Sequence, residues 1–169
     1  YNRLSLWQMF PSGPNATTTV RASVEDQKSL GQFFPDTTVY DLKATYVRRL
    51  KNRDILRLSL MGLYNDATRE TDTFSETLAR LDYVLAKPVM DTRLVFSLTA
   101  GRRSYDEFAL SLDGRRDRYL EAGITAVFER ASYYGFSPSF SVSAKRTISD
   151  VSRYSKLEVQ GAVGFESNF

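Results

Sequence analysis

The chain of 169 residues contains no cysteine and no histidine. Without cysteine there is no disulfide, no zinc-thiolate site and no thiol nucleophile. Without histidine the commonest general base and metal ligand is missing, and only carboxylates, serine, tyrosine and lysine are left for chemistry. No cofactor or metal is expected. Long apolar runs are missing too. Hydrophobic residues make up 42% of the chain, yet the mean hydropathy is −0.35, and nothing approaches the ~18 to 20 consecutive apolar residues of a membrane-spanning helix. A helical membrane protein is thereby excluded. A membrane barrel is not, because its strands need only ~9 to 11 residues and alternate instead of running apolar throughout. Charge of one sign is nowhere concentrated: 23 basic and 20 acidic residues are mixed along the chain, and no basic block points to nucleic acid. The chain opens at YNRLSLW without an initiator Met, a basic stretch or an apolar leader, which reads either as a mature chain or as a piece of something longer.

What the sequence has instead is alternation. Side chains of a strand point to opposite faces in turn, so an apolar–polar period of two marks a strand with one face of each kind. Leu157, Val159, Gly161, Val163, Phe165 and Phe169 share one parity, against Lys156, Glu158 and Gln160 on the other. Segments of this kind recur from the start of the chain: Arg3 to Phe10, which is the least regular, then Thr17 to Glu25, Val39 to Leu50, Ile55 to Tyr64, Phe74 to Leu85, Arg93 to Arg103, Tyr119 to Glu129, Phe136 to Lys145 and the last segment. The expected fold is all-β, one domain over 1–169: an antiparallel up-and-down transmembrane β-barrel, or about eight or nine strands forming the C-terminal part of a larger one.

The polar parity carries Arg21, Glu25, Asp41, Lys43, Arg57, Arg80, Asp82, Arg93, Glu121, Glu129, Lys145 and Glu158, which are expected to face the lumen because an unpaired charge facing hydrocarbon is costly. Aromatics near segment ends, namely Tyr46, Tyr64, Tyr83, Phe128 and Phe136, are expected to form interfacial girdles. Connections read alternately short (PSGPN, KNRD, KPVMD, SYYG) and long and polar (QKSLGQFFPDT, NDATRETD, SYDEFALSLDGRRD, TISDVSR). Such alternation is the pattern of an outer-membrane barrel with its short turns in the periplasm. Two features run against it. Pro138 cannot donate to a ladder and belongs at a rim or bulge. Arg48 and Arg146 fall on the apolar parity, and are expected near strand ends where long basic side chains reach the head groups.

Two resemblances go further. The terminal strand resembles that of bacterial outer-membrane barrels, whose final aromatic is read by the barrel-assembly machinery; Val163, Phe165 and Phe169 are the residues that carry this signal here. GFSPSF at 135 to 140, the stretch SAKRTISDVSRYSKLEVQGAVGFESNF after it, and DGRRDRYLEAGITAVF at 113 to 128 resemble the C-terminal barrel of the surface lipoprotein assembly modifier family. That resemblance implies a periplasmic helical-repeat domain, a larger barrel, partnership with outer-membrane lipid and a lipoprotein client, and a role in moving proteins to the cell surface. No helical repeat is present in this sequence, which agrees with a fragment. An odd count of nine strands points the same way, since single-chain bacterial barrels close with even numbers. The competing expectations are a small eight-stranded structural or adhesion barrel, with Arg3 to Phe10 not a strand, and a porin with a transverse field between its basic and acidic lumen residues. An outer-membrane enzyme would have to use Asp106, Glu107, Asp113 and Asp117 of one long loop, and is not expected.

Overall fold

The computed structural model describes residues 2–28, 35–109, 111 and 113–167. Among these residues nine strands follow one another: β1 (Asn2–Pro11), β2 (Ala16–Gln27), β3 (Thr37–Arg49), β4 (Ile55–Ala67), β5 (Phe74–Val84), β6 (Thr92–Tyr105), β7 (Arg115–Phe128), β8 (Phe136–Ser149) and β9 (Lys156–Ser167). They form one antiparallel sheet in the order β1 to β9, each strand paired with its neighbours in sequence. The sheet is up-and-down and open, with β1 and β9 at its edges. Arg3 to Phe10 is therefore a strand, paired with β2 from Asn2↔Asp26 to Pro11↔Thr17. Strand lengths run from 10 residues in β1 to 14 in β6, β7 and β8, against a mode of about 5 to 6 in soluble sheets.

Register carries the alternation across the whole sheet. One transverse row reads Val20, Ala44, Leu60, Ala79, Ala100 and Leu120, and another Tyr83, Phe96, Ile124, Val142 and Gly161. Apolar side chains thus share one face. Their neighbours on the other face are polar, as in the row Thr45, Ser59, Arg80, Thr99, Glu121, Lys145 and Glu158.

The polar face is the sheltered one. Ser23, Ser59, Glu76, Asp82, Asp117, Ser137 and Thr147 are buried, while among the described residues the buried hydrophobics are Ala67 and Val127 alone. On the apolar face Leu42, Leu60, Leu98, Leu120 and Ile124 are exposed. The cause is curvature. Arg93 of β6 reaches Glu166 of β9 at 3.3 Å, although three strand spacings along a flat sheet would separate their backbones by about 14 Å. Arg3 of β1 likewise meets Asp41 of β3 at 3.5 Å. The sheet curls toward its polar side.

The two rims differ. The turn rim carries connections 12–15, 50–54, 85–91 and 129–135, and each contains a left-handed residue: Gly13, Arg53, Met90 with Asp91, and Tyr134 with Gly135. In the last two, Val89 pairs with Thr92 and Tyr133 with Phe136 around two residues of positive φ, the backbone twist that suits a tight hairpin. The loop rim carries 28–36, 68–73, 106–114 and 150–155. Here the reading of long loops needs correction. Asn65–Ala67, Arg115–Asp117 and Thr147–Ser149 belong to strands, so 68–73 and 150–155 are no longer than 85–91 or 129–135. Polar residues were read as loop where they continue the ladder. Arg146 lies in the last, loop-ward part of β8, three residues before its end and opposite Leu120 and Leu157, and Arg48 is next to the end of β3. Pro138 pairs with Phe165 of β9. The ladder to β7 stops at Val127↔Ser139, so the missing N–H falls where β8 has a neighbour on one side only.

Candidate functional site

The concave face gathers the charged residues of the polar parity, and most of them meet a partner. At the β1–β3 end Asp41 accepts hydrogen bonds from the Ser23 hydroxyl at 2.6 Å and from Arg21 at 3.1 Å, with Arg3 beside it and Glu25 at 3.4 Å from Arg3. In the middle Asp82 takes Arg80 at 2.8 Å and Arg57 at 3.9 Å. Near the turn rim Arg93 bridges Glu129 at 2.9 Å and Glu166 at 3.3 Å. Lys156 pairs with Glu158 at 3.0 Å. Lys43 lies opposite Arg21 and Met61, and Glu121 opposite Thr99 and Lys145.

A denser group spans β5 to β8 toward the loop rim. Glu76 accepts from Arg103 at 2.9 Å and from the Tyr119 hydroxyl at 2.7 Å. Lys145 stands 4.3 Å from the centre of the Tyr119 ring. Tyr119 fits because its cross-strand partner is Gly101: a Cβ there would collide with the tyrosine ring, so the glycine makes the notch in which the ring lies. Just above, Arg115 is held by Asp117 at 2.9 Å and enclosed by Tyr105, Tyr154 and Phe108 at 4.1, 4.2 and 4.8 Å from the ring centres. Guanidinium over an aromatic face is favourable, the more so when partly desolvated. Phe108 and Tyr154 come from connections 106–114 and 150–155, which this cage ties inward over the concave face. Below it lies a polar cavity of about 140 Å³ lined by Arg103, Arg115, Asp117, Tyr119, Lys145 and Lys156 among others. Among the described residues, Asp117 Oδ1, Arg103 Nε and Arg21 Nε are buried and meet no hydrogen-bond partner. These groups hold and screen charge against one another.

Sequence reasoning missed Glu76, Arg103, Arg115 and Tyr119. The parity of Glu76 and Arg103 was available, but the pairing of Tyr119 with Gly101 and the cage around Arg115 depend on register and loop path. Of the four acidic residues weighed for an enzyme, Asp117 is taken by Arg115, and Glu107 faces Glu70 of the neighbouring connection. The hydrogen bond and like charge of Glu70 raise the Glu107 carboxyl above its ordinary value. Among the described residues no group of three or more acidic side chains is placed to hold a metal.

Outward, Tyr46, Tyr83, Phe128 and Phe136 gather toward the turn rim together with Phe96 and Phe165. Tyr64 lies at the opposite end, 6.4 Å from Tyr40. Val163 and Phe165 are on the exposed apolar face of β9; Phe169 lies outside the described residues. On the turn rim Asp54 is almost fully buried, 5% exposed. It accepts from the backbone N–H of Ala86 at 2.8 Å and from the Tyr83 hydroxyl. Those bonds, the Ala86 N–H first, hold its carboxyl below the usual carboxylate value and clamp connection 50–54 to 85–91.

No family model matches the chain, no curated protein matches it significantly, and no solved structure does.

Proposed function

We propose that this chain is part of an integral β-barrel of the bacterial outer membrane, with its apolar face against lipid, its charged face lining the interior, and its turn rim in the periplasm. The observation that carries this reading is the inverted exposure of the sheet. Ser59 is 5% and Asp82 4% exposed, whereas Leu60 and Leu58, the sequence neighbours of Ser59, are 53% and 40% exposed. In water a contiguous apolar face of this extent is unusual for a monomer. In hydrocarbon it is required, because charges must be turned inward and every backbone amide must find a partner in the ladder. Strands of this length, tilted, suffice to cross a ~30 Å core.

The open edges belong to the same proposal. Nine up-and-down strands leave β1 and β9 running in the same direction, so they cannot close on each other in antiparallel fashion. Each unsatisfied edge amide in lipid costs several kcal/mol. Further strands from outside these 169 residues pair with β1 and complete the barrel. The narrower role, assisting lipoproteins or other proteins to the cell surface with assembly through the barrel machinery, rests on the resemblance of 113–128 and 135–169 alone.

The test is site-directed spin labelling in lipid vesicles. Labels at Leu58, Leu98, Ile124 and Val142 relax with lipid-soluble oxygen, and labels at Ser97, Thr125 and Ser143 with a water-soluble nickel chelate. Labels at the first four positions that respond to the chelate and not to oxygen overturn the membrane reading.

A further inference from the structure

The outward face does not end in the same way at its two rims. Toward the turn rim it ends in aromatics; toward the loop rim, on β6, β7 and β8, it carries arginines, with the exposed Ile148 of β8 opposite Arg118. Arg102 lies directly opposite Arg118. Arg116 is one outward position further along β7, opposite Ser104. Arg146 lies opposite Leu120, on the diagonal from Arg118. All four are exposed, and among the described residues none of them enters a salt bridge. Their inward neighbours Arg103 and Arg115 are each paired with a carboxylate. Like charges directly across an antiparallel pair are destabilising, and here four accumulate against the Asp150 carboxylate, which accepts from the Arg116 backbone N–H at 2.9 Å.

Their height is regular. Arg102 and Thr92, Arg118 and Phe128, Arg146 and Phe136 are each separated by the same interval along β6, β7 and β8, about ten residues, which in a tilted strand spans roughly the 25 Å of an outer-membrane apolar band. Between these ends the outward positions are apolar: Leu120, Ala122, Ile124 and Ala126 on β7. The arginines thus stand toward one boundary of that band, with Ile148 among them. Beside them the apolar face dips into a shallow groove, wide open to the surroundings, of about 860 Å³. Small side chains make it, Gly62, Ala79 and Ala100 flanked by Leu42 and Leu60, and Arg102 and Arg118 are part of its lining.

An apolar groove that runs to a cluster of unpaired guanidinium groups complements an amphiphile with a hydrocarbon chain and an anionic head. Guanidinium forks match phosphate oxygens two at a time, and four of them suit more than one phosphate. We propose that Arg102, Arg116, Arg118 and Arg146 bind the multiply phosphorylated head group of an outer-leaflet glycolipid, with one acyl chain laid in the groove beside them. The inference rests on the outer-membrane reading, which sets the loop rim in the outer leaflet.

The experiment uses the full-length protein in nonionic detergent, titrated with diphosphorylated lipid A, its enzymatically dephosphorylated form and cardiolipin. The expected result is a preference for the diphosphorylated lipid of about tenfold or more over the dephosphorylated form, weakening with salt. Arg102→Ser with Arg118→Ser abolishes the preference, the Lys pair at the same positions reduces it, and Arg48→Ser, an outward arginine at the turn rim, leaves it intact. Equal binding of the dephosphorylated lipid, or a preference that survives the Ser pair, overturns the site. Equal binding of cardiolipin overturns the assignment to a glycolipid. Ile124→Trp, read with brominated lipid in vesicles, separates the two levels: quenching without phosphate preference removes this inference and leaves the membrane reading, and no quenching removes the membrane reading itself.

Discussion

The two faces of this sheet use the same strands to opposite ends. On the convex face one residue is like the next along a row, with Ala79, Ala100 and Leu120 succeeding one another, and nothing there needs an individual partner. The concave face is built from particular pairs: Glu76 with Arg103 and Tyr119, Asp41 with Arg21 and Ser23, Arg93 with Glu166. A face that meets hydrocarbon is specified by hydrophobicity alone, whereas a face that shelters charges is specified by register. Substitutions on the two should differ in kind, the first responding to depth and the second to identity.

The largest effect tests that contrast at adjacent positions of β7. Ile124→Arg is expected to destabilise the protein in vesicles by about 2 to 4 kcal/mol, as for a basic residue near the membrane midplane, while Thr125→Arg, facing inward, should cost well under that. Urea unfolding of the two variants decides it, and equal costs would break the comparison. Next comes the notch at Gly101. Gly101→Ala places a methyl group where the Tyr119 ring lies, so the ring must leave and Glu76 loses one donor. A cost of about 1 to 3 kcal/mol is expected, with a change in tyrosine near-UV circular dichroism. Gly161→Ala on the convex face meets only ordinary contact and should be close to neutral.

Two smaller effects oppose each other in pH. The folded state holds the Asp54 carboxyl below its unfolded value of 3.8. Its contribution is therefore full above that value and is lost as pH falls through the depressed folded value. Asp54→Asn should flatten the acid limb of the stability profile. Glu107 is raised above 4.5 beside Glu70, so its penalty appears as pH rises from that value through the raised folded one. Glu107→Gln should remove this shallower decline. Thermal unfolding followed from pH 3 to 7 measures both, and a Glu107→Gln profile identical to that of the parent would show that the two loop carboxylates do not meet.

The period of two made all nine strands legible, including the irregular β1, where Trp7 and Met9 sit on the parity that elsewhere is polar. Strand ends on the loop rim were not legible for a physical reason. Arg115–Arg118 keeps the alternation but with polar residues on both faces, so hydrophobicity no longer reports the ladder, and in Thr147–Ser149 a single outward Ile148 is too short a pattern to report it. Arg116 and Arg118 were hidden in the same way, since RRDR looks like a loop until Leu120 and Ile124 fix its parity. The Tyr119 notch and the Arg115 cage lie beyond any single segment, because each joins residues from several strands or connections.

The topology has one more consequence. Every strand of the sheet touches its sequence neighbours, and no long crossover is threaded between them. Such a chain is assembled from repeating hairpins, much as a solenoid is from its repeats. A hairpin added or removed beyond an existing one leaves the remaining ladders intact and alters only the circumference. Most inward ion pairs, however, reach no farther than two strands, and the Arg93–Glu166 bridge reaches three. That bridge is a ruler of curvature. A barrel widened by extra hairpins would flatten each arc, and it is Arg93 that would lose its second carboxylate first.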